Sequence, residues 1–343
     1  MISLGLARAH VGLVRPLAAL LGAMATMATL AGLQSAIAAE RPTGYPSQPV
    51  RLVVPFPPGG ASDIVARTVA QRMSSGTGAR FVVENRPGAG GSIGVGAVTA
   101  AAPDGFTLLL GAAGPLSMSP HLVRLNYDVE RDLEPIALVA NVPNLVAVHP
   151  GVPATTLGEL AELARRQPGQ LTFGSAGQGT TAHLSIELFK AIAHVEVVHV
   201  PYKGTSSAVS DLVGGQIQAT IDNLTAILPQ VRSGRLRAIA LTTNTRSRAA
   251  PTIPTAEESG MKDLVVVGWN GVLAPARTPQ PIIDWLAQEV MAASASPDVR
   301  GQLVELGAEP DIRGPAAFRA YLHAELDRWG RVTRAAGIRI AQD

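Results

Sequence analysis

Short apolar runs, each closed by a glycine-bearing polar turn and followed by apolar positions at helical spacing, recur along the chain. Residues 51–54 predict a buried strand, 55–63 a stiff turn and 64–73 a helix. Residues 81–85 predict a second strand, 86–92 a glycine-rich turn, 93–101 a small-residue helix and 107–111 a third strand. Beyond a polar stretch at 126–133, the runs 134–140 and 145–148 predict extended chain leading into a second domain. There the rhythm restarts, with helices at 157–166, 182–192, 208–213 and 227–232 and strands at 171–175, 195–200, 217–221 and 236–241. Thr155 or Thr156 is placed to cap the first of these helices. Residues 264–274 predict an extended return path, interrupted at Trp269-Asn270-Gly271. Helices beginning at Pro279, Pro297 and Pro315 close the chain, and proline suits a first helical turn because its missing N–H is not needed there.

Strand, turn and helix alternating in both halves predict an α/β fold with two lobes. Each lobe is expected to hold a parallel-rich sheet flanked by helices, with ligands gathering in a cleft beyond the strands' carboxyl ends. The expected division is 39–143 for the first lobe, 144–264 for the second, and 265–343 for the return to the first lobe and the C-terminal helices. Two connections between lobes permit hinge closure.

The N-terminus sets the compartment. Arg8, His10 and Arg15 precede an apolar stretch at 17–33, and Ala36-Ile37-Ala38 supplies small residues where a signal peptidase reads. Residues 1–38 are therefore expected to be a cleaved signal peptide. Gly22, Thr26, Thr29 and Gly32 interrupt the apolar stretch and weaken the alternative of a membrane anchor. The mature chain, beginning near Ala39 or Glu40, is expected to be periplasmic, not membrane-inserted and monomeric. Losing Arg8 and Arg15 from 28 basic residues leaves 26 against 26 acidic ones, which argues against a nucleic-acid partner. The absence of cysteine excludes disulfides and thiol catalysis, and aromatic residues at only 4% predict aliphatic cores. Histidines scattered without metal-ligand spacing predict no metal site, and no cofactor is expected.

Candidate chemistry lies in the turns. Pro58, Gly59, Gly60, Ser62 and Asp63 meet a helix start, where backbone N–H groups favour an anion. The duller reading of this turn is a stiff connection capped by Ser62 or Asp63. Asp63 either caps the helix or accepts from a ligand amine or hydroxyl. Asn85 and Ser92 border the second loop as donors or as turn residues. The facing wall is expected from Ser175, Gly177, Gly179, Thr180 and Thr181, a polar nest at another helix start, with His183 either donating to a ligand or packed beneath the loop. Lys203 stands at a strand end as a fixed cation or as an ordinary solvated lysine, and Asp222 ends another strand pointing to the cleft. Neither glycine loop carries the lysine-hydroxyl ending of a nucleotide P-loop. Ser175, His183 and Asp222 form a triad on paper, but Gly174-Ser175-Ala176-Gly177 lacks the spacing of a nucleophile elbow.

Several motifs in order resemble the extracytoplasmic substrate-binding proteins of tripartite tricarboxylate transporters, first described as Bordetella uptake gene products. They are residues 50–63, 82–91, 103–105, 173–177, 179–184, 200–204 and 251–260. The resemblance implies a bilobal type II periplasmic-binding fold that closes over a small organic acid and presents it to a membrane permease, without catalysis. It also implies that a carboxylate is held mainly by backbone groups and waters from the loops at Gly59-Gly60 and 175–181. Presentation of the bound acid to a membrane sensor kinase is the alternative outlet.

Overall fold

The computed structural model describes residues 40–338; the expected signal peptide lies outside them. Strand β1 (Val50–Val54), helix α1 (Ala61–Thr77), strand β2 (Phe81–Asn85), helix α2 (Ser92–Thr99) and strand β3 (Thr107–Ala112) come first. A π turn (Gly114–Met118), a short helix α3 (Val129–Asp132) and the long strand β4 (Leu133–Val148) follow. Then come α4 (Leu157–Arg166), β5 (Thr172–Ser175), α5 (Thr181–Ala193), β6 (Val198–Pro201), α6 (Thr205–Val213), β7 (Ala219–Asn223), α7 (Leu224–Arg232) and β8 (Arg237–Leu241). Strand β9 (Val267–Pro275), helices α8 (Gln280–Ala295) and α9 (Pro297–Glu305), strand β10 (Glu309–Arg313) and helix α10 (Pro315–Ala335) complete it.

Local chemistry fixes the helix ends. α1 buries Val65, Val69 and Met73 along one face and stops at Gly78, whose left-handed backbone returns its N–H to the Ser74 carbonyl. Of the two candidate caps for α4, Thr156 takes the role, in a capping box with Glu159.

The strands run in the order β2-β1-β3-β9-β4-β7-β5-β6, with β8 and β10 also bonded to β4. β1 lies parallel to β2 and β3, and β5 parallel to β6 and β7. Between these parallel wings every pairing of β4 and β9 is antiparallel. The two extended runs expected as a route between lobes are one strand of 16 residues. It pairs with β9 as far as Pro143 opposite Val267, and with β7 from Asn144 opposite Asn223. Asn141, Pro143 and Asn144 break the apolar pattern, yet they fall where β4 changes partners. There the Asn144 side chain bonds Ser185 and Asn223. The return path is likewise a strand, β9. β10 was not foreseen, because Glu309, Pro310, Asp311 and Arg313 read as polar loop.

The sheet is buried on both faces, as near-continuous apolar strands require. Leu108 and Leu110 face a core with Val65, Val69, Trp285 and Leu286. Leu109 and Val53 face the other, with Phe173, Phe318 and Trp329. A third core, with Leu145, Leu212, Leu224 and Leu241, includes residues of α6 and α7. The cores are not purely aliphatic: the few aromatics are concentrated, and Trp269, Trp329, Phe173, Phe189 and Phe318 are the largest fully buried side chains. Phe318 meets Trp269 edge-on at 5.5 Å between ring centroids and occupies the space where Gly271 would otherwise carry a Cβ. Phe318→Ala should cost about 3–5 kcal/mol in urea unfolding; a loss below about 1 kcal/mol would show that α10 does not hold the sheet centre.

Candidate functional site: a cleft lined by helix N-termini

The N-termini of α1, α5, α6 and α7 converge on one cavity. Gly60, Ala61 and Ser62 line it from α1, Thr180 and Thr181 from α5, Thr205 and Ser206 from α6, and Asn223, the cap residue of α7, closes the ring. First-turn N–H groups have no intrahelical partner, and each helix start carries roughly half a positive charge. No lysine, arginine or histidine lines the cavity, which has a volume of about 40 Å³. That is room for a few waters or one carboxylate group. A second cavity of about 390 Å³ adjoins it, with Phe56 and Ala176 common to both walls. Its lining includes Lys203 and Arg124.

Asp222 is the one acidic residue of the smaller cavity. Its Oδ1 accepts from the Asn223 N–H at 2.7 Å and the Thr205 hydroxyl at 3.2 Å, while Oδ2 is buried without a partner. Burial pushes this carboxyl up to about 6, against the opposing pull of those hydrogen bonds and of the Ala176 amide. β9 supplies Trp269 and Asn270. Asn270 Nδ2 donates to the Ser62 hydroxyl at 3.0 Å and the Gly111 carbonyl at 3.1 Å. Its Oδ1 and the Trp269 Nε1 are buried without partners. Sequence reasoning passed over both residues; a lone asparagine in an apolar strand was the available signal. Ser206 and Arg124 carried none.

The expected site residues divide. Gly60, Ser62, Thr180, Thr181 and Asp222 line the smaller cavity, and Ser92, Gly177 and Lys203 the larger. Pro58, Gly59, Asp63, Asn85, Ser175, Gly179 and His183 line neither. The N-cap of α1 is Gly60, not Ser62 or Asp63. Asp63 instead reaches back to the Gly59 N–H at 3.0 Å and is bonded by Arg67 and Asn85 at 2.9 Å each. Burial works to raise its pKa, but those hydrogen bonds outweigh it and hold the carboxyl below its ordinary range. Asn85 spans Asp63, Arg67 and the Phe56 carbonyl, so both residues brace the turn. The facing loop is equally self-contained. The Gly177 N–H donates to Ser175 Oγ at 3.1 Å and the Gly179 N–H to His183 Nδ1 at 3.2 Å. The paper triad is not assembled either: the imidazole on Ser175 is His199, at 2.6 Å. Thus the amides of Gly59, Gly177 and Gly179 are used within their own loops, and the donors left for an anion belong to the helix starts.

Residues 65–338 match the sequence profile of the tripartite tricarboxylate transporter family receptor. The chain belongs to this family. BugT of Bordetella pertussis is 36% identical to it over 323 residues, 94% of this chain and 98% of that protein. The solved structure "R. palustris Rpa4515 with adipate" is 37% identical at a TM-score of 0.84, covering 86% of this chain and 100% of that one. MatC of Rhodopseudomonas palustris with bound malate is 33% identical at 0.81, covering 84% and 99%. The receptor is thus a periplasmic solute-binding protein with the bilobal fold expected.

In this receptor the lobes touch through glycine. Gly204, the N-cap of α6, leaves no space for a Cβ beside Pro57, whose Cγ would stand 2.7 Å away. Gly90, at φ +62°, meets the Gln178 carbonyl where a side chain cannot fit. Behind the second wall, His183 and His199 stack at 4.3 Å between ring centroids. Burial, reinforced by Lys190 for both rings and by His183 for His199, pushes each imidazole down to about 4. Unfolding frees both rings to bind protons near 6.5, so their contribution to stability is complete above that pH and is lost as pH falls toward 4. Urea-unfolding free energy should therefore fall across that interval, and His199→Gln should flatten the slope. An unchanged slope would mean that His199 takes up its proton at the same pH in the native and unfolded states.

Proposed function

We propose that the receptor captures a small carboxylate in the cleft between its lobes and presents it to the permease of a tripartite tricarboxylate transporter. The observation that carries this reading is the meeting of helix N-termini on a cavity that contains no cationic side chain. Backbone and hydroxyl donors fixed in place can replace the water around a carboxylate with little reorganisation. The adipate and malate named with two solved relatives support the same ligand class. In this reading one carboxylate occupies the small cavity and the remainder of the acid extends into the larger one, where Lys203 and Arg124 favour a second negative charge. Residues 144–264 close as one body against 39–143 and 265–343, hinged at the crossings of β4 and β9. The mature monomer begins near Ala39, after removal of the signal peptide in the periplasm.

A thermal-shift screen of the mature protein against mono- and dicarboxylic acids tests the proposal. A dicarboxylate at about 100 times its Kd should add about 2.7 kcal/mol and raise the melting temperature by several degrees. Monocarboxylates of equal length should shift it less. No shift from any acid would contradict the assignment. Closure is tested separately by Gly204→Ala, where the extended backbone (φ 161°) accepts an L residue and the added Cβ stands 2.7 Å from Pro57 Cγ when the lobes meet. Its affinity for the acid should fall at least about tenfold, a loss of about 1.4 kcal/mol, while the isolated fold persists by circular dichroism. Unchanged affinity would mean that the two surfaces need not touch during binding.

A further inference from the structure

We propose that Asp222 makes acid capture proton-linked: it enters the complex as the neutral carboxyl and donates a hydrogen bond from Oδ2 to the ligand's carboxylate. The inference rests on the receptor reading above and deepens it by naming the form in which the anion is taken up, together with one proton from solvent. No other bond changes.

The geometry carries the argument. Asp222 is 1% exposed and lines the cavity in which the helix starts converge. Its Oδ1 accepts from the Asn223 amide and the Thr205 hydroxyl, the Ala176 amide adds a pull toward the ionised form, and Oδ2 is buried with no hydrogen bond within 3.5 Å. An ionised Oδ2 would offer a second negative charge and a second acceptor to a ligand group that is itself anionic and accepts only. A proton on Oδ2 removes the like-charge contact and converts the atom into a donor.

No countercharge nearby does this instead. On α5, Lys190 pairs with Glu187 at 2.9 Å, and His183 accepts from the Gly179 amide. On α6, Asp211 accepts from the Tyr202 hydroxyl at 2.7 Å. On α7, Arg232 donates to the Glu305 and Ala249 carbonyls. On β4, Glu134 pairs with Arg319, and β5 carries no charged residue. His199 on β6 is held by Ser175, and Lys203 lines the larger cavity rather than this one. Burial brings the carboxyl up to about 6, so an arriving anion has only to complete the shift.

Titration calorimetry with adipate and with malate, at about pH 7.5 in two buffers of different ionisation enthalpy, counts the protons taken up. Close to one proton per acid is expected, with affinity falling by up to about tenfold for each pH unit above 6. Asp222→Asn keeps an acceptor for Asn223 and Thr205 and puts a permanent amide donor at the Oδ2 position. It should bind with no proton uptake and no such pH slope. Should that variant fail to fold, the two-buffer comparison on the native protein still decides. Binding at pH 7.5 without proton uptake would overturn this inference and leave the receptor reading intact. Binding restricted to ammonium-bearing acids and lost in Asp222→Asn would also overturn it, by assigning Oδ2 to an ammonium group. No binding of either acid even at pH 5 would remove the receptor reading for these acids, and the proton linkage with it.

Discussion

The structure depends on one electrostatic arrangement: helix N-termini aimed from both lobes at a single small cavity lined by no cationic side chain. The loops ahead of those helices hold them in place through their own hydrogen bonds. Asp63, Arg67 and Asn85 lock the turn ahead of α1, and the Ser175–His199 contact stiffens the loop ahead of α5. The buried carboxyl of Asp222 sits at the focus, where its charge depends on what else the cavity contains.

Rigidity and movement are divided in the same way. β4 runs through both sheets and changes partner from β9 to β7 around Pro143 and Asn144, so the lobes are joined by a paired strand rather than by a loose loop. One apolar core continues across the division, with Val53 and Leu109 on one side and Phe173 and Phe189 on the other, while at the cleft the two sides meet through Gly90, Gly204 and a Ser119-to-Gly179 hydrogen bond.

Much of this was legible in the sequence, and the boundary of legibility is physical. The turns at 55–60 and 176–180 could be read because glycine, hydroxyls and the onset of helical spacing coincide there. Their position at strand ends puts Gly60, Ser62, Thr180 and Thr181 in the wall of the smaller cavity. What the pattern could not give was which amide donates to which acceptor. Gly59, Gly177 and Gly179 looked like free donors, but Asp63, Ser175 and His183 consume them. Gly60 and Gly177 line adjoining cavities rather than one. Trp269 and Asn270 were hidden by their context, because a polar break in an apolar run reads as a loop until its neighbours across the sheet are known. β4 was read as a connection for the same reason.

The central claim is that helix-start amides, and not the loop glycines, hold the acid. Backbone amide NMR shifts on adding adipate to the mature protein test it most directly. The account predicts that the largest changes fall on the N–H groups of Ala61, Ser62, Thr181 and Ser206, while those of Gly59, Gly177 and Gly179 stay near their free positions. Large shifts confined to the loop glycines, with the helix starts unmoved, would contradict it.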